Sequence, residues 1–217
     1  MAFSFCRLPI SSPARLAPQW LGGRVWTGQS ACPAWLGPGR DMTFEQLVHK
    51  IRGDRNLDRE VPGFDPSNGN ERAKFLFLLE APGPKAVKTG IISFDNPDQT
   101  ARNLRDQLAA AGIVRTEIAL WNVVPWFLGD GQRIRPARDG DFQDALPYLL
   151  PVVRVMVHLQ CIVLVGGAAR RAHFTLSSTT TARILACHHP SARVMHASPP
   201  AWQENVDILR FMKRSSG

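Results

Sequence analysis

The sequence predicts an α/β fold in which a parallel sheet is covered by helices on both faces. Four short apolar runs, at residues 75–79, 118–123, 161–165 and 183–187, alternate with stretches of helical period. Strands buried on both faces are continuously apolar rather than alternating, and parallel neighbours need long crossovers that are usually helical. Rigid turns and polar residues follow the runs, at the strand ends where such sheets gather ligand sites.

Taken in order, Thr43 stands where an N-cap belongs, before Phe44, Leu47, Val48 and Ile51 at helical spacing. A loop rich in Gly, Pro and Asn is expected from there to Asn70. Residues 97–111 place Leu104, Leu108 and Ala111 on one helical face, and residues 141–159 form an apolar helical stretch interrupted by Pro147 and Pro151. Residues 166–174 read as a short helix. A last helix over 200–213 brings Trp202, Val206, Leu209 and Met212 roughly into register. No repeat or low-complexity tract interrupts this pattern.

With 217 residues, 44% of them hydrophobic, the chain can bury a substantial core. Residues 42–217 are expected to form one domain. Residues 1–41 differ, with four Arg, one acid (Asp41), five Pro, five Gly and three Trp. That composition points to a dispensable or mis-started basic leader that would not pack. A basic arm contacting DNA is the alternative, and an organellar transit peptide is the less favoured one, for lack of an amphipathic helix.

The formal net charge of +8 favours a polyanionic partner, either nucleic acid or an anionic membrane surface. No run approaches the roughly 20 apolar residues of a membrane span. Cys6, Cys32, Cys161 and Cys187 are scattered, which fits reduced thiols and a cytoplasmic setting, and the protein is expected to be nucleoid-associated there.

The chemistry should sit in the strand-end loops. The first, Glu80-Ala81-Pro82-Gly83-Pro84, fixes a backbone path able to hold a water or a planar ligand, or is an ordinary exit with a solvated Glu. Phe94 follows in a polar turn, as a stacking ring or as core. Asn122 ends the second run and offers a donor and an acceptor side by side, as the edge of a base requires, unless it only satisfies nearby backbone. Gly166-Gly167 lacks the motifs of a phosphate loop and reads as small residues opening a helix. After the fourth run come His188, His189, Pro190 and Ser191. Adjacent residues of an extended chain point apart, and no further ligand stands at metal spacing, so no metal is expected. His189, held by Pro190, is suited to donate to a developing anion. Arg193, Val194 and Met195 read as a loop combining a phosphate-binding cation with two apolar wedges.

In this order the segments resemble the uracil-DNA glycosylase superfamily, whose members carry G-E-A-P-G or G-Q-D-P-Y after the first sheet strand, then an aromatic, an Asn after the second strand, and H-P-S near the end. Here these positions are Glu80-Ala81-Pro82-Gly83, Phe94, Asn122 and His189-Pro190-Ser191, within a resemblance running from about Ala73 to Met212. It implies a three-layer α/β/α sandwich around a four-stranded parallel sheet. It also implies excision of uracil or another deaminated base, such as hypoxanthine, from DNA through a flipped nucleotide. Phe94 would stack on the base while Asn122 reads its Watson–Crick edge, and His189 would stabilise charge growing on the base O2. The backbone from Glu80 through Ala81 and Pro82 to Gly83 would hold the hydrolytic water, with Glu80 acting on it or steadying the loop. Ser191, Arg193, Val194 and Met195 would contact DNA.

Leu79 departs from the family pattern, standing where Gly is usual, as does Ala81, where the members with the most efficient water activation carry Asp. The cysteines lack the arrangement that holds an iron–sulfur cluster in the G-E-A-P-G branch, so no cofactor is expected. The expected protein is a monomeric, monofunctional DNA N-glycosylase with no membrane partner. A DNA-binding member of the fold without catalysis is one rival reading. A hydrolase of free nucleotides is another, and seven Lys/Arg against two acids over residues 160–217 argue against it.

Overall fold

Thr43 does cap the first helix, and reciprocally. Its hydroxyl accepts from the Gln46 N–H (3.2 Å), and Gln46 Oε1 accepts from the Thr43 N–H (2.8 Å). This starts α1 (Phe44–Arg55), which buries the four expected apolar residues. The computed structural model describes residues 42–130 and 134–216, so the leader proposed for residues 1–41 lies outside the described residues.

The stretch up to Asn70 is less irregular than its composition predicts. It contains β1 (Gly63–Phe64), which pairs in parallel with β3 (Ile91–Ile92) in a small second sheet. The Phe64 ring lies between Phe44 and Trp121, with centroids 3.8 Å away on each side, and this stack fastens the segment to the core.

The main strands are β2 (Phe75–Leu79), β4 (Ile118–Asn122), β5 (Cys161–Val165) and β6 (Arg183–Cys187). They form one parallel sheet in the order β4-β2-β5-β6, the four-stranded core that was expected. Along the chain, α2 (Pro84–Thr89) precedes β3, α3 (Gln99–Ala110) precedes β4, and α4 (Asp139–Val155) precedes β5. The short α5 (His173–Ser177) leads to β6, which is followed by α6 (Ala192–Ala197) and α7 (Ala201–Arg214). Connections from β2 to β4 and from β4 to β5 run in opposite directions across the sheet. Right-handed crossovers therefore place α3 and α4 on opposite faces. α1 packs with α4, and α7 with α3, giving three layers.

Several expectations need correction. Asp98 accepts from the Ala101 N–H and sets the start of α3 after Pro97. α4 begins two residues earlier than expected and ends at Val155 despite containing Pro147 and Pro151. The helix expected over 166–174 starts late. Gly166 has φ 86°, a 3-10 turn spans Ala169–Ala172, and only then does α5 begin. The loop expected at Arg193, Val194 and Met195 is helix α6, because the Ser191 hydroxyl caps it by accepting from the Val194 N–H. Among the described residues no helix is long and apolar enough to cross a membrane.

Gly69 lies against the chain entering β4. Its N–H donates to Ile118 O (2.9 Å), and a Cβ there would run into Thr116 O. Gly69→Ala must shift backbone and is expected to cost about 1–3 kcal/mol, the usual range for overpacking, in urea unfolding.

Candidate active site

The parallel register pairs Leu79 with Asn122, so β2 and β4 end side by side. Beyond their ends lies a cleft of about 350 Å³, lined by Ala81, Pro82, Gly83, Phe94, Asn122 and His189 among others. Its location follows from topology: the chain leaves β2 towards one edge of the sheet and β5 towards the other, and the crevice at such a switch point is where open sheets bind ligands. The loop after β2 holds its path because Pro82 is buried and Gly83, in extended backbone, precedes Pro84 at the first position of α2.

Asn122 is 2% exposed, and its Nδ2 has no hydrogen-bond partner among the described residues. Leaving a buried donor unpaired costs about 1–3 kcal/mol. Such a donor is completed by an ordered water or by a ligand acceptor, and of the buried donors in this state Asn122 Nδ2 belongs to a residue that lines the cleft.

Phe94 lines the cleft and is backed by the Arg115 guanidinium, 4.6 Å from its centroid. Arg115 is itself held by buried Asp65, by Asp95 (2.5 Å) and by Asn68 Oδ1 (3.1 Å). Burial pushes the Asp65 carboxyl up, but the Ser93 hydroxyl, Ser67 and Arg115 outweigh it and hold it below the ordinary value. A fixed cation behind the ring favours a fixed ring plane.

His189 enters the cleft from the loop after β6. The Ser191 N–H donates to His189 Nδ1 (3.2 Å), so the neutral ring carries its proton on Nε2 and can donate from there. Burial lowers its pKa, with Arg193 adding to the effect while Glu80 and Asp98 oppose it. The neutral form is therefore favoured. Gly166 makes room for this residue: at φ 86° it has no Cβ, and one added there would stand 2.9 Å from His189 Cβ.

Sequence reading missed the groups that hold this loop. Asn205, 1% exposed on α7, accepts from the His188 N–H (2.8 Å) and donates to His188 O (3.0 Å), continuing the pairing of an edge strand. It also donates to Gln107 Oε1 (3.2 Å), and Asn103 of α3 donates to Pro190 O (2.7 Å). Buried Asn and Gln inside amphipathic helices were the available signal. His188, adjacent to His189, faces elsewhere and pairs with Glu204 (2.7 Å).

Glu80 does not line the cleft. Its Oε1 accepts from the Ala137 N–H (2.6 Å), bracing the chain that enters α4. Beside it Arg135 grips Asp141 through both carboxylate oxygens (2.6 and 2.8 Å), and this pairing brings the Asp141 carboxyl down to about 2.

A family model described as the Uracil DNA glycosylase superfamily matches residues 66–210. The chain belongs to this superfamily. Among solved structures it is similar to the solution NMR structure of a "putative Uracil DNA glycosylase" from Methanosarcina acetivorans. Identity there is 15%, with 70% of this chain and 98% of that one covered and a TM-score of 0.46. No curated protein matches the chain.

In this superfamily member the cleft brings together Ala81, Pro82, Gly83, Phe94, Asn122 and His189. Glu80 and Ser191 are not in the cleft lining, and the side chain of each accepts from a backbone N–H, of Ala137 and of Val194. Arg193 is exposed on α6, whereas Met195 Sδ meets the Gln107 amide (3.5 Å). The two described cysteines, Cys161 and Cys187, are buried in strands, and burial pushes their thiols up to about 11 and about 12. That is the reverse of the thiolates an iron–sulfur cluster needs, so these two do not fit one.

Gly166→Ala should cost about 1–2 kcal/mol from its left-handed backbone alone and displace the His189 ring signals in NMR spectra. A second expectation concerns pH. The folded state resists protonating His189, so as pH falls below about 6.5 the unfolded chain binds a proton that the folded one refuses, and stability drops. His189→Gln removes this contribution, and its melting temperature should fall less steeply with acid than that of the wild type.

Proposed function

We propose that the protein is a monofunctional DNA glycosylase that draws an extruded deaminated base, uracil or a related keto base such as hypoxanthine, into the cleft and hydrolyses its N-glycosidic bond. The observation that carries this reading is the buried Asn122 amide, whose Nδ2 has no partner among the described residues, on the same cleft as Phe94 and His189. Its Nδ2 can donate to an acceptor, and a base carbonyl next to a ring N–H supplies one while the ring N–H donates a hydrogen bond to the amide oxygen. Extrusion costs a few kcal/mol, which Asn122 and stacking on Phe94 would offset.

In this mechanism the bond electrons move onto the base as it leaves, and charge grows on its carbonyl oxygen. His189, neutral and donating from Nε2, stabilises that charge without having to lose a full positive charge. The backbone from Ala81 to Gly83 holds the attacking water on the opposite side of the sugar. Arg193 contacts the phosphate backbone, which would make binding sensitive to salt. Residues 42–217 form the acting domain, as a monomer. Ala81 offers the cleft only a methyl group, and this one observation favours a second reading, a DNA-binding member without catalysis.

A strand-cleavage assay separates the two. Oligonucleotides carrying uracil, hypoxanthine, xanthine or a mismatch are incubated with the protein and then treated with alkali. Cleavage by the wild type, reduced about 10²-fold or more in Asn122→Ala and in His189→Ala with DNA binding retained, is the expected result. Binding without cleavage on every substrate would establish the second reading.

A further inference from the structure

Hydrolysis needs a group to receive the proton of the attacking water, and Ala81 leaves the usual position without one. The surrounding carboxylates differ in what they are free to do. Asp65 and Asp95 are both occupied by Arg115. Glu80, whose Oε1 accepts from the Ala137 N–H, lies outside the cleft lining, and it is this position that sets it apart from the carboxylate that remains. Asp98 remains. Among the described residues that line the cleft it is the sole carboxylate.

Its geometry suits the task. Oδ1 accepts from the Ala101 N–H (2.9 Å), which locks the side chain on the first turn of α3. Oδ2 carries no hydrogen bond among the described residues, so the cap that fixes one oxygen leaves the other available. The residue is half-buried on the same cleft as Asn122 and His189. A carboxylate there adds negative charge that favours an oxocarbenium-like sugar as well as accepting a proton.

We propose that Asp98 is the catalytic base, receiving the water proton on the oxygen its helix cap leaves free. The assignment rests on the glycosylase reading above. As the water oxygen bonds to the sugar C1′, the C1′–N bond breaks and its electron pair leaves with the base, held as an anion by His189 Nε2–H. The water proton passes to Asp98, which returns it to solvent. The products are the free base, which is protonated by solvent, and a deoxyribose bearing a 1′-hydroxyl.

The bland alternative is that Asp98 only caps α3, and the choice of variant separates the two roles. Asn caps as well as Asp, and Ser nearly so, but neither accepts a proton. Single-turnover excision from the best substrate of the base panel is measured across pH with the full chain, alongside melting temperature and affinity for abasic-site DNA. Asp98→Asn and Asp98→Ser are expected to keep wild-type melting and affinity, lose about 10²–10⁴-fold in rate, and lose the acid limb of the pH profile. A wild-type rate and profile in Asp98→Asn would overturn the proposal and leave the glycosylase reading intact. Losses of rate that merely follow losses of melting temperature in both variants would also overturn it, by assigning Asp98 to capping alone. A wild-type protein silent on every base would overturn both readings.

Discussion

The pairing of Leu79 with Asn122 is the constraint on which the cleft depends. It ends two adjacent strands at one level, so the turn Ala81–Gly83 and the Asn122 amide face the same space. A slip of one residue would send Asn122 to the opposite face of the sheet. The register is well defended: β2 is paired on both sides, and buried Trp121, one residue before Asn122, is clamped by the ring of Phe64. The small sheet of β1 and β3 thereby fastens the Phe94 loop and the end of β4 to the same core.

Polar groups around the cleft divide into those that are satisfied and those left open. Arg115 consumes Asp65 and Asp95 while backing Phe94. One oxygen of Glu80, outside the cleft lining, is held by Ala137, and the amide of Asn205 by the backbone of His188. Among the described residues, those left open include the Nδ2 of Asn122, the Nε2–H of His189 and one oxygen of Asp98. Fixed supports around a few unsatisfied groups are the arrangement that preorganised chemistry requires.

Much of this was legible in the sequence. The four main strands showed as apolar runs because both their faces are buried, and strand-end logic led directly to Asn122 and His189. β1 and β3 left no signal, since two residues are too few for a period and their stability comes from packing on Trp121. α6 was hidden behind the motif it follows, although Ser191 is an ordinary N-cap. Asp98 was invisible as a chemical group because it is also a good cap, and only the cleft distinguishes the two uses. The roles of Asn103, Gln107 and Asn205 depend on contacts 17 to 98 residues away in sequence, beyond the reach of any local pattern.

The most direct measurement is a crystal structure of the protein on DNA carrying a 2′-fluoro deoxyuridine analogue that resists hydrolysis. The account predicts a base turned out of the helix and lying over Phe94, with its carbonyl about 3 Å from Asn122 Nδ2. A base still stacked in the duplex, with the Asn122 amide unpartnered in the presence of bound DNA, would contradict it.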